Sequence, residues 1–175
     1  MSATPSPLDT ALIVFVVAVA IIDWRSHRIP NLLCAASATI GLISQMSLHG
    51  AAGLLAALGG VTIGLIAFLP FYVMRAFGAG DVKAMATVGI FLGAKVTLFA
   101  VGMTLIAGAV LGVLVMLCQK APANATLHRL IGLLAAPAAA IRASRHNTTT
   151  ESPQRFPYGV AIACGSTAAL LIVTH

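Results

Sequence analysis

AAGLLAALGGVTIGLIAFLPFYVM, residues 51–74, carries no charged side chain. A helix rises about 1.5 Å per residue, so roughly 20 apolar residues cross a bilayer core. Ala51 to Met74 has that length, and its neighbours repeat the pattern in both directions. Upstream, Asn31 to Leu48 is a second apolar run, set off by a tight turn at His49-Gly50, and Leu8 to Trp24 is another before it. Downstream, Val82 to Cys118 has room for two short helices that turn near Lys95, the first of them barely long enough to span. Phe156 to Val173 closes the series. The expectation is an all-α, polytopic membrane helix bundle of about six transmembrane helices, forming one domain over residues 1–175.

Composition agrees. The chain is 59% hydrophobic and 8% charged, with a mean hydropathy of +1.02. A soluble domain carries about 25% charged residues. Ten basic and four acidic side chains in 175 residues cannot coat a water-facing globule, so a soluble enzyme and a disordered regulator are excluded. The net charge of +6 does not imply a nucleic-acid partner, because the Lys and Arg residues stand singly between apolar runs. They report topology instead. With six spans and the N-terminus outside, Arg25, Arg28, Arg75, Lys83, Lys120, Arg129, Arg142, Arg145 and Arg155 fall inside and Lys95 falls outside. Both termini then face the exterior. The first apolar run lacks a preceding basic region, as Met1 to Thr10 has no Lys or Arg. That favours a retained helix over a cleaved signal.

Residues 119–155 differ in character. They hold five basic residues, Pro122, Pro137, Pro153 and a polar run from His146 to Gln154. The expectation is a cytoplasmic loop carrying an interfacial helix around Leu127 to Ile141, the alternative being a seventh span interrupted by Pro137. Cys34, Cys118 and Cys164 lie apart in apolar stretches without a CxxC pair, so neither zinc nor a disulfide framework is indicated. They are expected to be buried small hydrophobes.

The chemistry rests on few side chains. The acids are Asp9, Asp23, Asp81 and Glu151. Asp9 lies in a polar lead-in and Glu151 in the polar loop, where solvation explains both. Asp23 ends the first helix on the inner side and Asp81 opens the fourth on that same side, so two carboxylates arrive at one depth from different helices. Ionisable groups at membrane depth are functional candidates. The bland alternatives are an interfacial cluster of Asp23 with Arg25 and Arg28, and an N-cap role for Asp81. Around Asp81 the chain reads Gly78-Ala79-Gly80-Asp81-Val82-Lys83, and glycines there allow a sharp bend and close approach. Around Asp23 it reads Asp23-Trp24-Arg25-Ser26-His27-Arg28-Ile29-Pro30-Asn31, with Pro30 suited to the start of the second helix.

Gly-x-Gly-Asp-x-Lys, with an upstream Asp-x5-Ile-Pro-Asn, resembles the type IV prepilin peptidases, which are GxGD-class intramembrane aspartyl proteases. Phe156-Pro157-Tyr158-Gly159-Val160-Ala161-Ile162-Ala163 resembles the Pro-Tyr-Gly segment of that family's last helix. The three motifs run in the family's order from residue 23 to residue 163. The long bacterial members carry a cytoplasmic insertion with paired CxxC motifs. Here only Arg25 to Pro30 separates the first two helices, which is similar to the short form of the tight-adherence (Flp-type) pili. The archaeal preflagellin peptidases share the GxGD logic and are the alternative at family level.

The resemblance implies catalytic roles for Asp23 and Asp81, with Gly78, Gly80, Lys83, Pro30, Asn31, Pro157, Tyr158 and Gly159 shaping the site or lying near substrate. Lys83 is placed to reach the dyad or lipid headgroups. Arg25, His27 and Arg28 are expected to be topological. No metal and no organic cofactor is implied. The implied partners are a prepilin or pseudopilin substrate in the lipid bilayer and contact with the pilus assembly machinery. The implied location is the bacterial inner membrane, with the site near the cytoplasmic face. Two other classes fit intramembrane acids: a small proton- or cation-coupled transporter, against which stands the lack of an internal repeat, and a non-catalytic pilus or secretion assembly subunit.

Overall fold

The computed structural model describes residues 6–26, 29–74, 77–118 and 158–174. The described chain is helical: α1 (Pro7–Ser26), α2 (Asn31–Val73), α3 (Ala79–Cys118) and α4 (Tyr158–Thr174). Three of these are long and apolar enough to cross a membrane, namely α1, α2 and the Ala79–Gly112 part of α3, while the apolar Tyr158–Ile172 stretch of α4 is shorter. The expected loop at 119–155 with its interfacial helix, and His27, Arg28 and Pro157, lie outside the described residues.

Local chemistry explains where the helices start. Ser6 caps α1: its hydroxyl accepts from the Asp9 N–H (3.2 Å) and the Asp9 carboxylate accepts from the Ser6 N–H (2.9 Å). This is a reciprocal capping box, followed by Pro7 in the first helical position. Asp9 is therefore a helix-start residue and not merely part of a solvated lead-in. Pro30, one position earlier than a first helical residue, is the N-cap of α2 with φ −64° and ψ 131°. Its carbonyl accepts from the N–H groups of Leu33 and Cys34.

Two glycines divide the long helices. At 43 residues, α2 would be about 65 Å long if straight, twice the thickness of a hydrocarbon core. Gly50 (φ 60°, ψ −141°) breaks it, at the turn expected from His49-Gly50. Gly93 (φ 70°, ψ 173°) breaks α3, two residues before the expected turn at Lys95. The positive φ explains the difference, because only a residue without Cβ takes it cheaply. Lys95 is exposed just past the break.

The contacts set the direction of each straight segment. Lys83 meets Asn31, and Gln45 meets Ile90 and Phe91, so the first arm of α2 runs alongside the first arm of α3. Along the second arm of α2 the order reverses: Ala56 faces Gly93, Gly60 faces Gly89 and Gly64 faces Met85. The second arm of α3 then descends against α4, with Thr104 against Gly165 and Gly108 against Tyr158. Six straight segments thus alternate in direction.

Backbones touch where α2 and α3 cross. A Cβ on Gly60 would collide with the Gly89 carbonyl, and one on Gly64 would lie 2.8 Å from the Met85 carbonyl oxygen. Small residues at crossings are how apolar helices gain packing when lipid is as apolar as their side chains. Around these crossings Leu12, Phe15, Val16, Val19, Phe68, Met85, Val88 and Ile162 form the core. Leu55, Ile66, Leu98, Phe99, Ile106 and Leu171 remain exposed, an apolar exterior suited to lipid. Cys34 is buried, as expected of a small hydrophobe, but Cys164 is exposed on α4, where a lipid-facing position tolerates a thiol equally well.

Candidate functional site

The buried residues of α1 are Leu8, Leu12, Phe15, Val16, Val19 and Asp23. Their spacing traces one helical face, so the carboxylate occupies the last position of an otherwise apolar stripe. Asp23 is 4% exposed. Its Oδ2 accepts a hydrogen bond from the Gly159 N–H at 2.6 Å. That N–H belongs to the first turn of α4, where N–H groups lack partners within the helix and the helix dipole favours negative charge. Close approach is possible because residue 159 is Gly: a Cβ there would lie 2.7 Å from the Asp23 Cβ.

Asp81 sits in the first turn of α3, half-buried. The helix begins at Ala79, so Asp81 is not its N-cap. It occupies the third helical position, and its Oδ2 accepts from the Gly78 N–H at 2.9 Å, the reach-back half of a capping box. The capping explanation for Asp81 thus holds in part, and it coexists with a second circumstance. Phe77, which precedes Gly78, packs on Tyr158, which precedes Gly159, so the acids held by those two glycines come to the same end of the bundle.

An aromatic cluster walls this end of the bundle. The Tyr158 ring lies 4.1 Å from Phe77 and 6.3 Å from Phe68, centroid to centroid, and Phe77 stacks on Phe71 at 4.9 Å. Phe77 immediately precedes Gly78, so the cluster joins the start of α3 to the start of α4 and the end of α2. The Tyr158 hydroxyl packs on Gly108.

The remaining motif residues meet on the exposed side. Lys83 Nζ donates to Asn31 Oδ1 at 3.0 Å, so it reaches α2 rather than the acids. A Cβ on Gly80 would lie 3.2 Å from the Ile29 Cβ, which brings the residue before Pro30 against the glycine before Asp81. The structure therefore gathers Asp23, Pro30, Asn31, Gly78, Gly80, Asp81, Lys83, Tyr158 and Gly159 at one end of the bundle. Arg25 is exposed beside them. Among the described residues no group of three or more His, Cys, Asp or Glu side chains is placed to hold a metal ion.

Sequence reasoning missed four residues of this end, Phe68, Phe71, Phe77 and Gly108, and one at the opposite end, Gln45. Phe68, Phe71 and Phe77 are ordinary apolar residues in sequence, and only the chain reversal brings them to Tyr158. Gly108 gave no signal. Gln45, buried at 6% exposure, is the one with a legible hint, as an amide inside an apolar run demands a buried partner.

This arrangement, two acids at one end of a helical bundle and backbone N–H groups holding each, can polarise a peptide carbonyl and activate water. No curated protein and no solved structure matches the chain. A family model does, over residues 10–113, a span that includes Asp23, Pro30, Asn31 and the whole Gly78–Lys83 motif. With its membrane-length helices and this match, the chain belongs to the type IV leader peptidase family.

Proposed function

We propose that this protein is a membrane-embedded aspartic endopeptidase that removes the short basic leader of type IV prepilins, of the Flp type, at the junction of leader and hydrophobic helix. Family membership supports the leader-peptidase activity, and the short interval between α1 and α2 supports the Flp-type assignment by resemblance. The observation that carries the mechanism is that Asp23 and Asp81, from different helices, lie at the same end of the bundle, where Gly159 holds Asp23, Gly78 holds Asp81 and the Phe77 and Tyr158 rings beside those glycines are in contact.

Two carboxylates that share a site hold one proton between them and titrate as a pair. The ionised partner takes a proton from water as its oxygen attacks the scissile carbonyl carbon. The protonated partner hydrogen-bonds the carbonyl oxygen, and the leaving amine is protonated as the C–N bond breaks. Gly159 and Gly78 orient the two carboxylates through their N–H groups. Each of the six straight segments crosses the membrane in this reading, with Asp23 and Asp81 at the cytoplasmic face of the bacterial inner membrane and both termini outside. The first arm of α3, from Ala79 to the break at Gly93, is short for a full crossing, which brings Asp81 below the headgroups rather than into the cytoplasm. A basic leader is held on the inner side by the same charge rule that orients the enzyme, and its junction then lies at the level of the acids.

The test is cleavage of a co-expressed Flp-type prepilin, followed by gel shift and N-terminal sequencing. Wild type is expected to cut at the leader junction, and Asp23→Asn and Asp81→Asn, each at normal membrane levels, are expected to be inactive. Cleavage by either variant at the wild-type rate would show that the two-aspartate mechanism is wrong.

A further inference from the structure

Asp23 and Asp81 stand on helices that meet mainly through intermediaries. α1 packs chiefly on α4, while α3 packs chiefly on α2 and α4. In the chain, Asp23 is followed within eight residues by Ile29, Pro30 and Asn31, where α2 begins. At that point two contacts cross to the first two turns of α3. The Lys83 ammonium donates to the Asn31 side-chain oxygen at 3.0 Å, and Ile29 lies against Gly80. Asn31 is the first helical residue of α2 and Lys83 lies in the second turn of α3, so the bond pins two helix starts together, with one acid attached to each side.

We infer that the Lys83–Asn31 hydrogen bond, with Ile29 seated on Gly80, is a clasp that sets the spacing of Asp23 and Asp81, and that Lys83 is a positioning residue for the reaction. This rests on the two-aspartate reading above. Lys83 acts through Asn31, not on substrate. The side chain spans from one helix to the next on the exposed side of the bundle, and a charge-assisted bond is stronger than a neutral one. Gly80 has the complementary role, because a Cβ there would lie 3.2 Å from the Ile29 Cβ, and Ile29 would have to give by a few tenths of an ångström.

Lys83→Met keeps the stem and removes the donor, and Asn31→Leu removes the acceptor. Each is expected to lower kcat on a Flp-type prepilin in detergent about tenfold, in the range of one lost charge-assisted hydrogen bond, with KM little changed. The double variant should be no slower than the slower single variant, since one interaction cannot be lost twice. Asn31→Asp keeps an acceptor and Lys83→Arg keeps a donor, so both should hold most of the rate.

Wild-type kcat in Lys83→Met overturns the inference. So does a double variant whose losses multiply, which would mean that Lys83 acts independently of Asn31, on substrate or on headgroups. So does a loss seen only in KM. If Lys83→Met does not accumulate in membranes, the contrast of Asn31→Leu with Asn31→Asp decides: equal rates in those two overturn the clasp. The parent reading fails separately, by activity in Asp23→Asn or Asp81→Asn.

Discussion

Asp23 stands where a helix would normally end its apolar stripe, and the contact that accommodates it is a backbone N–H of another helix. Gly159 is the residue on which this depends. A methyl group at position 159 would sit 2.7 Å from the Asp23 Cβ and 2.9 Å from Oδ2, so Gly159→Ala must push α4 away or rotate the carboxylate. Displacing a catalytic group by about 1 Å can cost about a hundredfold in rate. Gly159→Ala is therefore expected to accumulate normally in membranes yet cleave prepilin at least tenfold more slowly, measured as initial rate against wild type. The same substitution at Gly102, which has open space where a Cβ would be, should leave the rate unchanged. Position 159 is constrained by chemistry and position 102 only by composition.

Gln45 governs the break in α3 from outside it. A non-helical residue at Gly93 disturbs the i→i−4 bonds that would otherwise use the carbonyls just before it. The Gln45 amide donates to two of those, Ile90 at 3.1 Å and Phe91 at 3.0 Å, while the Thr97 hydroxyl donates to the Gly93 carbonyl at 2.6 Å. His49 holds the Gln45 carbonyl oxygen at 3.1 Å. The turn in one helix is thus satisfied by a side chain from another, which water does at a soluble turn. Gln45→Leu fills the space but leaves buried carbonyls without a donor, at a cost of about 1–3 kcal/mol. The expected outcome is a lower melting temperature in detergent, with Gln45→Glu, which cannot donate when ionised, no better than Leu. An unchanged melting temperature in Gln45→Leu would mean that the break satisfies itself.

The whole molecule has two unlike ends. One gathers Asp23, Asp81, Lys83, Arg25 and Tyr158; the other carries the breaks at Gly50 and Gly93, with Lys95 beside them. If the first end is cytoplasmic, as the basic residues argue, a cysteine at position 95 should react with a membrane-impermeant thiol reagent in intact cells. A cysteine at position 26, where Ser26 is exposed, should react only after permeabilisation. Both are made with Cys34, Cys118 and Cys164 replaced. The opposite labelling pattern would invert the bundle and remove a cytoplasmic leader as substrate.

Much of this was legible in the chain itself. Hydropathy alone required membrane helices, because an unpaired backbone cannot sit in lipid and so few charges cannot face water. The turn at Gly50 was readable from His49-Gly50. Asp23 and Asp81 stood out because carboxylates at membrane depth are costly, and Pro157-Tyr158-Gly159 was noticed only by resemblance. What sequence could not supply was partnership. That the Gly159 N–H holds Asp23, that Lys83 turns to Asn31 rather than to the acids, that Gln45 closes the Gly93 break and that Phe77 packs on Tyr158 are all contacts between residues far apart in the chain. Helix formation is local and is written in periodicity and hydropathy. Which side chains meet is decided by the directions in which Gly50 and Gly93 return the chain, and only the folded bundle contains those directions.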